Sequence, residues 1–101
     1  MTQAMTETVS IKGRITVNNS DEMRRKLGAA LASKPAQVTA DLSEAVYIDT
    51  SGVATLLEAT RIARGQGTRL VLAGLKGQPR YLFEATEFDC LFEIAAPETS
   101  V

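Results

Sequence analysis

The chain has 101 residues, 45% of them apolar, and Lys+Arg 11 against Asp+Glu 12 leave a net charge of −1. That length supports one compact α/β domain over residues 1–101, with a core over about 6–95 and frayed termini, and leaves no room for a second core. The scattered basic residues argue against nucleic-acid binding; with no apolar run near the ~20 residues of a membrane span and no signal-like N-terminus, a cytoplasmic protein without membrane insertion is expected.

Thr6 to Val17 alternates as one or two short strands, with Val9, Ile11, Ile15 and Val17 on one parity and Gly13 marking a turn or bulge. Asn18 and Asn19 punctuate the chain, and Ser20 is placed to cap a helix whose first turn carries Asp21 and Glu22 at its favourable end. Met23, Leu27, Ala30 and Leu31 recur at helical spacing as a buried stripe, Arg24, Arg25 and Lys26 face water, and Lys34-Pro35 closes the element.

Gln37 to Asp41 reads as a short second strand, followed by an irregular link from Asp41 to Ala45. The apolar run Val46-Tyr47-Ile48 then breaks into Asp49-Thr50-Ser51-Gly52, and Val53, Leu56, Leu57, Thr60 and Ala63 take up helical spacing, with Leu56 and Leu57 facing the sheet. Gly65 and Gly67 end that helix. Arg69 to Ala73 is the clearest strand, a short helix runs through about Thr86, and Leu91 to Ala95 reads as an edge strand or a docked segment. Strands separated by helices predict a mixed, mainly parallel sheet with packed helices. Cys90, among Phe88, Leu91 and Phe92, reads as a buried structural thiol.

Asp49 to Gly52 falls between a strand and a helix, so its hydroxyls lie beside free backbone N–H groups and the positive end of the helix dipole. One reading is structural: Thr50 or Ser51 caps the helix, Asp49 adds favourable charge, and Gly52 permits a tight turn or a close approach. The other is a hydroxyl placed where a phosphate is tolerated.

In order and spacing, Asp41-Leu42-Ser43, Tyr47-Ile48-Asp49-Thr50-Ser51-Gly52, Leu56-Leu57-Glu58-Ala59 and Gly67-Thr68-Arg69-Leu70-Val71-Leu72 resemble the STAS domain family, over about Val9 to Ile94. The resemblance implies the STAS fold and the anti-sigma factor antagonist type. In those proteins a kinase that is itself the anti-sigma factor phosphorylates the hydroxyl directly after the loop aspartate. By position that residue is Thr50, with Ser51 as the backup acceptor; many relatives have serine at this place. The small STAS subunits of lipid-transporting ABC systems also carry an Asp-Thr loop and use it to dock on their ATPase subunit, which is the alternative the resemblance implies.

The residues give no sign of an enzyme. Without histidine there is no serine–histidine or cysteine–histidine nucleophile pair and no common zinc cluster. Asp41 and Asp49 are unconvincing as an acid–base pair, because the helix dipole already accounts for Asp49. Gly65-Gln66-Gly67 and Gly74-Leu75-Lys76-Gly77 match neither a Walker A loop nor a dinucleotide fingerprint and read as turns. No cofactor or metal is expected. On the helical wheel Ala54, Thr55, Glu58 and Ile62 fall on the exposed side, so Asp49, Thr50, Ser51, Gly52, Ala54, Thr55, Glu58 and Ile62 form the predicted partner-binding face. A homo-oligomer is compatible with this reading. Equally, Ile62 reads as an isolated surface apolar residue of the ordinary kind.

Overall fold

The computed structural model describes residues 5–95; the fraying expected of Pro97 to Val101 lies outside them. Four strands, β1 (Thr6–Ile15), β2 (Gln37–Ile48), β3 (Arg69–Ala73) and β4 (Glu93–Ile94), alternate with helices α1 (Ser20–Ala32), α2 (Thr50–Gln66) and α3 (Gly77–Ala85). A 3-10 turn over Phe88–Leu91 precedes β4. Strand order in the sheet follows chain order, and the mixed, mainly parallel sheet expected is parallel at every pairing among the described residues.

With that order, right-handed crossovers carry each connecting helix over the same face of the sheet. The core agrees. Met23, Leu27 and Leu31 of α1, Val53, Leu56, Ala59 and Ala63 of α2 and Phe83 of α3 share one cluster with Val38, Ala40, Leu42, Leu70 and Leu72 of the strands. The alternate residues Thr6, Thr8 and Ser10 are exposed, Thr39 and Asp41 half-exposed, so the other face is polar. Parallel sheets are normally covered on both faces; here the second face carries threonine, serine and charged side chains, with Val71 of β3 as a buried apolar exception, and has little apolar area to bury.

Three expectations are corrected. The stretch from Asp41 to Ala45 is part of a continuous twelve-residue β2 rather than an irregular link. Its irregularity takes the form of two register shifts, Ser10↔Asp41 to Lys12↔Glu44 and Gly13↔Ala45 to Arg14↔Tyr47, each leaving one extra residue on β2. The Asp41 carboxylate accepts the Ser43 N–H at 3.0 Å in the first bulge, and this backbone bond leads the causes holding its pKa below the ordinary value. Asp41 is thus spent on local strand geometry. Gly74, at φ 76°, meets the Ser43 backbone so closely that a Cβ would stand 2.8 Å from the Ser43 nitrogen. Second, Ser20 is inside α1, and Asn19 is the N-cap without a side-chain capping bond. Asn19 ties the preceding loop instead, accepting the Thr16 N–H at 2.7 Å and donating to the Arg14 carbonyl at 2.6 Å. Because β1 stops at Ile15, Val17 leaves the sheet parity and is 72% exposed. Third, Cys90 is exposed: the 3-10 turn directs Phe92 inward against Phe83, ring centroids 5.4 Å apart, and leaves the thiol outside.

Helix α2 places Leu56 at 0% and Ile62 at 50% exposure, while Leu57, expected to face the sheet, lies half-buried at the rim of the core. Leu56→Ala is therefore expected to destabilise the domain by about 2–5 kcal/mol in denaturant or thermal unfolding. Ile62→Ala should lie within roughly 0.5 kcal/mol of wild type, as surface substitutions do. Equal losses would show that α2 is rotated from the orientation described.

Candidate functional site

The site forms where β2 ends and α2 begins with one residue between them. Asp49 is the N-cap of α2, in extended conformation (φ −105°, ψ −176°), and its side chain accepts the Ser51 N–H at 2.9 Å and the Gly52 N–H at 3.1 Å. Its own N–H bonds the Ile15 carbonyl at 3.1 Å and its carbonyl accepts the Val53 N–H, so the cap is continuous with both sheet and helix. Neither Thr50 nor Ser51 caps the helix. An aspartate at the N-cap satisfies two orphan N–H groups and places its charge at the positive end of the dipole.

The two hydroxyls have different fates. Ser51 Oγ donates to Asp49 Oδ1 at 2.6 Å and is half-buried. Thr50, the first residue of α2, is exposed, and among the described residues its hydroxyl has no hydrogen-bond partner. The Ser51 hydroxyl bond is the leading cause that holds the Asp49 carboxyl below its ordinary value of 3.8, against an opposing desolvation; N–H donation from Gly52, Ser51 and Val17 adds to it. The same bond ties the Ser51 side chain to the cap, whereas that of Thr50 is left in solvent.

Gly52 and Thr55 were expected at the partner-binding surface, and both are buried. A Cβ on Gly52 would meet Ile48 Cγ1 at 2.6 Å and Ile15 Cγ2 at 2.8 Å, so the first turn of α2 lies directly on the ends of β1 and β2. Thr55 is 2% exposed because α1 packs alongside α2 and widens the covered arc; its Oγ1 donates to the Ser51 carbonyl at 3.0 Å and is satisfied there. Ala54, Glu58 and Ile62 remain exposed beside Thr50. Glu58 is already engaged: it accepts from Arg24 Nε at 2.7 Å, and Arg24 also binds Asp21, so an acid–base–acid bridge ties α1 to this face. Sequence reading missed this bridge because no local pattern relates residues 34 apart.

Among the described residues, no group of three or more His, Cys, Asp or Glu is placed to hold a metal ion, and no helix is long and apolar enough to cross a membrane. A lowered carboxyl pKa stabilises the fold above the unfolded-state value, and the contribution disappears as pH falls through the folded-state value. Thermal melts across the acid range should therefore show the margin of wild type over Asp49→Asn largest near neutrality and shrinking as pH drops below about 4. A margin independent of pH would mean that the charge of Asp49 plays no part in the cap.

A family model described as Mlab, STAS domain, matches residues 2–93. Among solved structures, an anti-sigma factor antagonist from Mycobacterium paratuberculosis is 18% identical with a TM-score of 0.80, over 93% of this chain and 80% of that one. The Bacillus cell fate determinant SpoIIAA in its phosphorylated form is 18% identical with a TM-score of 0.67, over 95% and 87%. A sulfate transporter family protein from Wolinella succinogenes is 18% identical with a TM-score of 0.73, over 88% and 75%. At such identities the structural likeness speaks for the fold alone. The family model spans nearly the whole chain, with the Asp49-Thr50 helix start inside its limits, and the chain belongs to the STAS domain family.

Proposed function

We propose that this STAS domain is a non-enzymatic partner-switching regulator in the cytoplasm, an anti-sigma factor antagonist that binds a kinase-type anti-sigma factor and releases it when Thr50 is phosphorylated. The observation that carries this reading is the contrast between the two hydroxyls: Thr50 is exposed at the first turn of α2, whereas Ser51 is bonded to Asp49. That one of the structural neighbours, SpoIIAA, has a phosphorylated form supports it. The docking face comprises Asp49, Thr50, Ser51, Ala54, Glu58 and Ile62, with Gly52 and Thr55 shaping it from beneath.

A phosphate on Thr50 adds about −1.5 to −2 charges directly beside the Asp49 carboxylate. The helix N-terminus offers N–H groups and a favourable dipole, so the fold accommodates the group while the surface around it changes sign. Partner affinity falls wherever the opposing surface is acidic or apolar.

A second reading has its own support. The Asp49-Thr50 pair matches the STAS subunits of phospholipid-transporting ABC systems, and the matching family model is that of the Mlab STAS domain. In that case the same face docks constitutively on an ATPase subunit, without modification.

Calorimetric titration of Thr50→Glu and Thr50→Ala against the isolated partner separates the two. Thr50 is not the cap, so both variants should melt within roughly 0.5 kcal/mol of wild type, the ordinary range for a surface position. Under the switch reading Thr50→Glu weakens binding more than Thr50→Ala, because repulsion and desolvation of the added charge outweigh one lost hydroxyl. Equal affinity of wild type and Thr50→Glu would remove charge at Thr50 as the switch and favour constitutive docking.

A further inference from the structure

Strand β2 outruns its neighbour. Its pairing with β3 ends at Asp41↔Ala73, while its pairing with β1 continues to Ile15↔Ile48. The Asp49 N–H points toward β1, where it bonds the Ile15 carbonyl, so strand alternation turns the Ile48 N–H and C=O to the edge that β3 has left. Both groups are met there by one side chain. Gln78 Oε1 accepts the Ile48 N–H at 2.8 Å, and Gln78 Nε2 donates to the Ile48 carbonyl at 3.0 Å. An amide reproduces the donor–acceptor pair of a strand backbone, so α3 supplies the missing ladder rung one residue before the Asp49 cap.

We propose that Gln78 is a positioning residue for the Thr50 site: its two-point hold on Ile48 fixes where β2 delivers Asp49 and Thr50, and makes α3 part of what a partner reads. The inference rests on the reading of Thr50 as the regulated hydroxyl. The end of β2 is held on both sides, Ile48 by Gln78 and Asp49 by the Ile15 carbonyl of β1, and the Ile48 side chain lies under Gly52. A shift of Ile48 therefore reaches the cap and the first turn of α2 together. Without Gln78 the last residues of β2 are an edge strand paired on one side only, and edge backbone opens more readily than paired backbone. Glu and Met each lose part of this hold for a definite reason. Glu keeps the acceptor for the Ile48 N–H but sets a carboxylate oxygen against its carbonyl, and Met keeps the length and packing but has neither function.

The test compares wild type, Gln78→Met, Gln78→Glu and the exposed-side control Arg80→Ala in the intact chain. Amide hydrogen exchange at Ile48, Asp49, Ser51 and Gly52 is read against core amides of Val38 and Leu72, and affinity is measured with the purified kinase-type anti-sigma factor, Thr50→Glu serving as reference. Gln78→Met should accelerate exchange at the loop roughly tenfold relative to the core, Gln78→Glu less, and Arg80→Ala not at all. Both Gln78 variants should weaken partner binding in the same order. Loop exchange that follows the core in Gln78→Met would overturn the hold itself. Faster loop exchange with unchanged affinity, while Thr50→Glu still weakens binding, would reduce Gln78 to a structural residue and leave the Thr50 reading standing. If Thr50→Glu also binds like wild type, it is the Thr50 reading that fails, and the positioning role with it.

Discussion

The first turn of α2 lies so close to the ends of β1 and β2 that no side chain fits at Gly52, where a Cβ would stand 2.6 Å from Ile48 and 2.8 Å from Ile15. Everything at the site follows from that approach. With a single residue between β2 and α2, the strand cannot drift into the helix; the reversal is made at Asp49, whose main chain bonds the Ile15 carbonyl while its side chain caps the helix. Any larger residue at 52 would push α2 off the sheet or displace two fully packed isoleucines, and overpacking of this kind typically costs ~1–3 kcal/mol. The glycine is a requirement of packing, not of backbone conformation, because it sits in regular helix.

The cap then separates the two hydroxyls: Ser51 is bonded to it and Thr50 is not. Asp49 Oδ1 gathers two N–H groups and the Ser51 hydroxyl, a set of donors that stabilises the charged carboxylate and turns Ser51 inward. Thr50 precedes these bonds and is exposed. A new negative group at Thr50 meets two opposing influences, the favourable helix terminus and the unfavourable carboxylate next to it. Both are local. The core beneath, from Leu56 to Leu72, is left as it was, which is how a switch of surface without a switch of fold becomes possible.

Much of this was legible in the sequence because the periods were clean. Leu56, Ala63 and Val53 fell on the buried side of α2 and Ile62 on the exposed side, as the structure has them. The parity of Val9, Ile11 and Ile15 in β1 and the break after Ile48 were equally plain, although Val17 was wrongly counted with the first strand and the second was ended at Asp41. Most of what failed did so where distant segments meet. Thr55 looks exposed on a wheel that knows only the sheet, and α1 covers it. Asp41 to Ala45 looks irregular because one bulge within it, and a second just after Ala45, break the period-two pattern, although the ladder with β1 continues. Asp, Thr and Ser stand together at the helix start, and composition cannot say which of three capping residues takes the cap; the answer depends on Ile15 holding the Asp49 main chain. Cys90 was misplaced because apolar neighbours in a 3-10 turn need not share a face. Gln78 left no local signal, since its partner is 30 residues away.

The claim on which the functional reading stands is that Thr50, and not Ser51, is the acceptor. Incubation of the intact chain with the kinase-type anti-sigma factor that binds it, in the presence of ATP, followed by mass spectrometric mapping of the phosphate, addresses it directly. A single phosphate on Thr50, absent from Thr50→Ala and retained in Ser51→Ala, is the expected result. A phosphate confined to Ser51, or none at all from a kinase shown to bind, would contradict it.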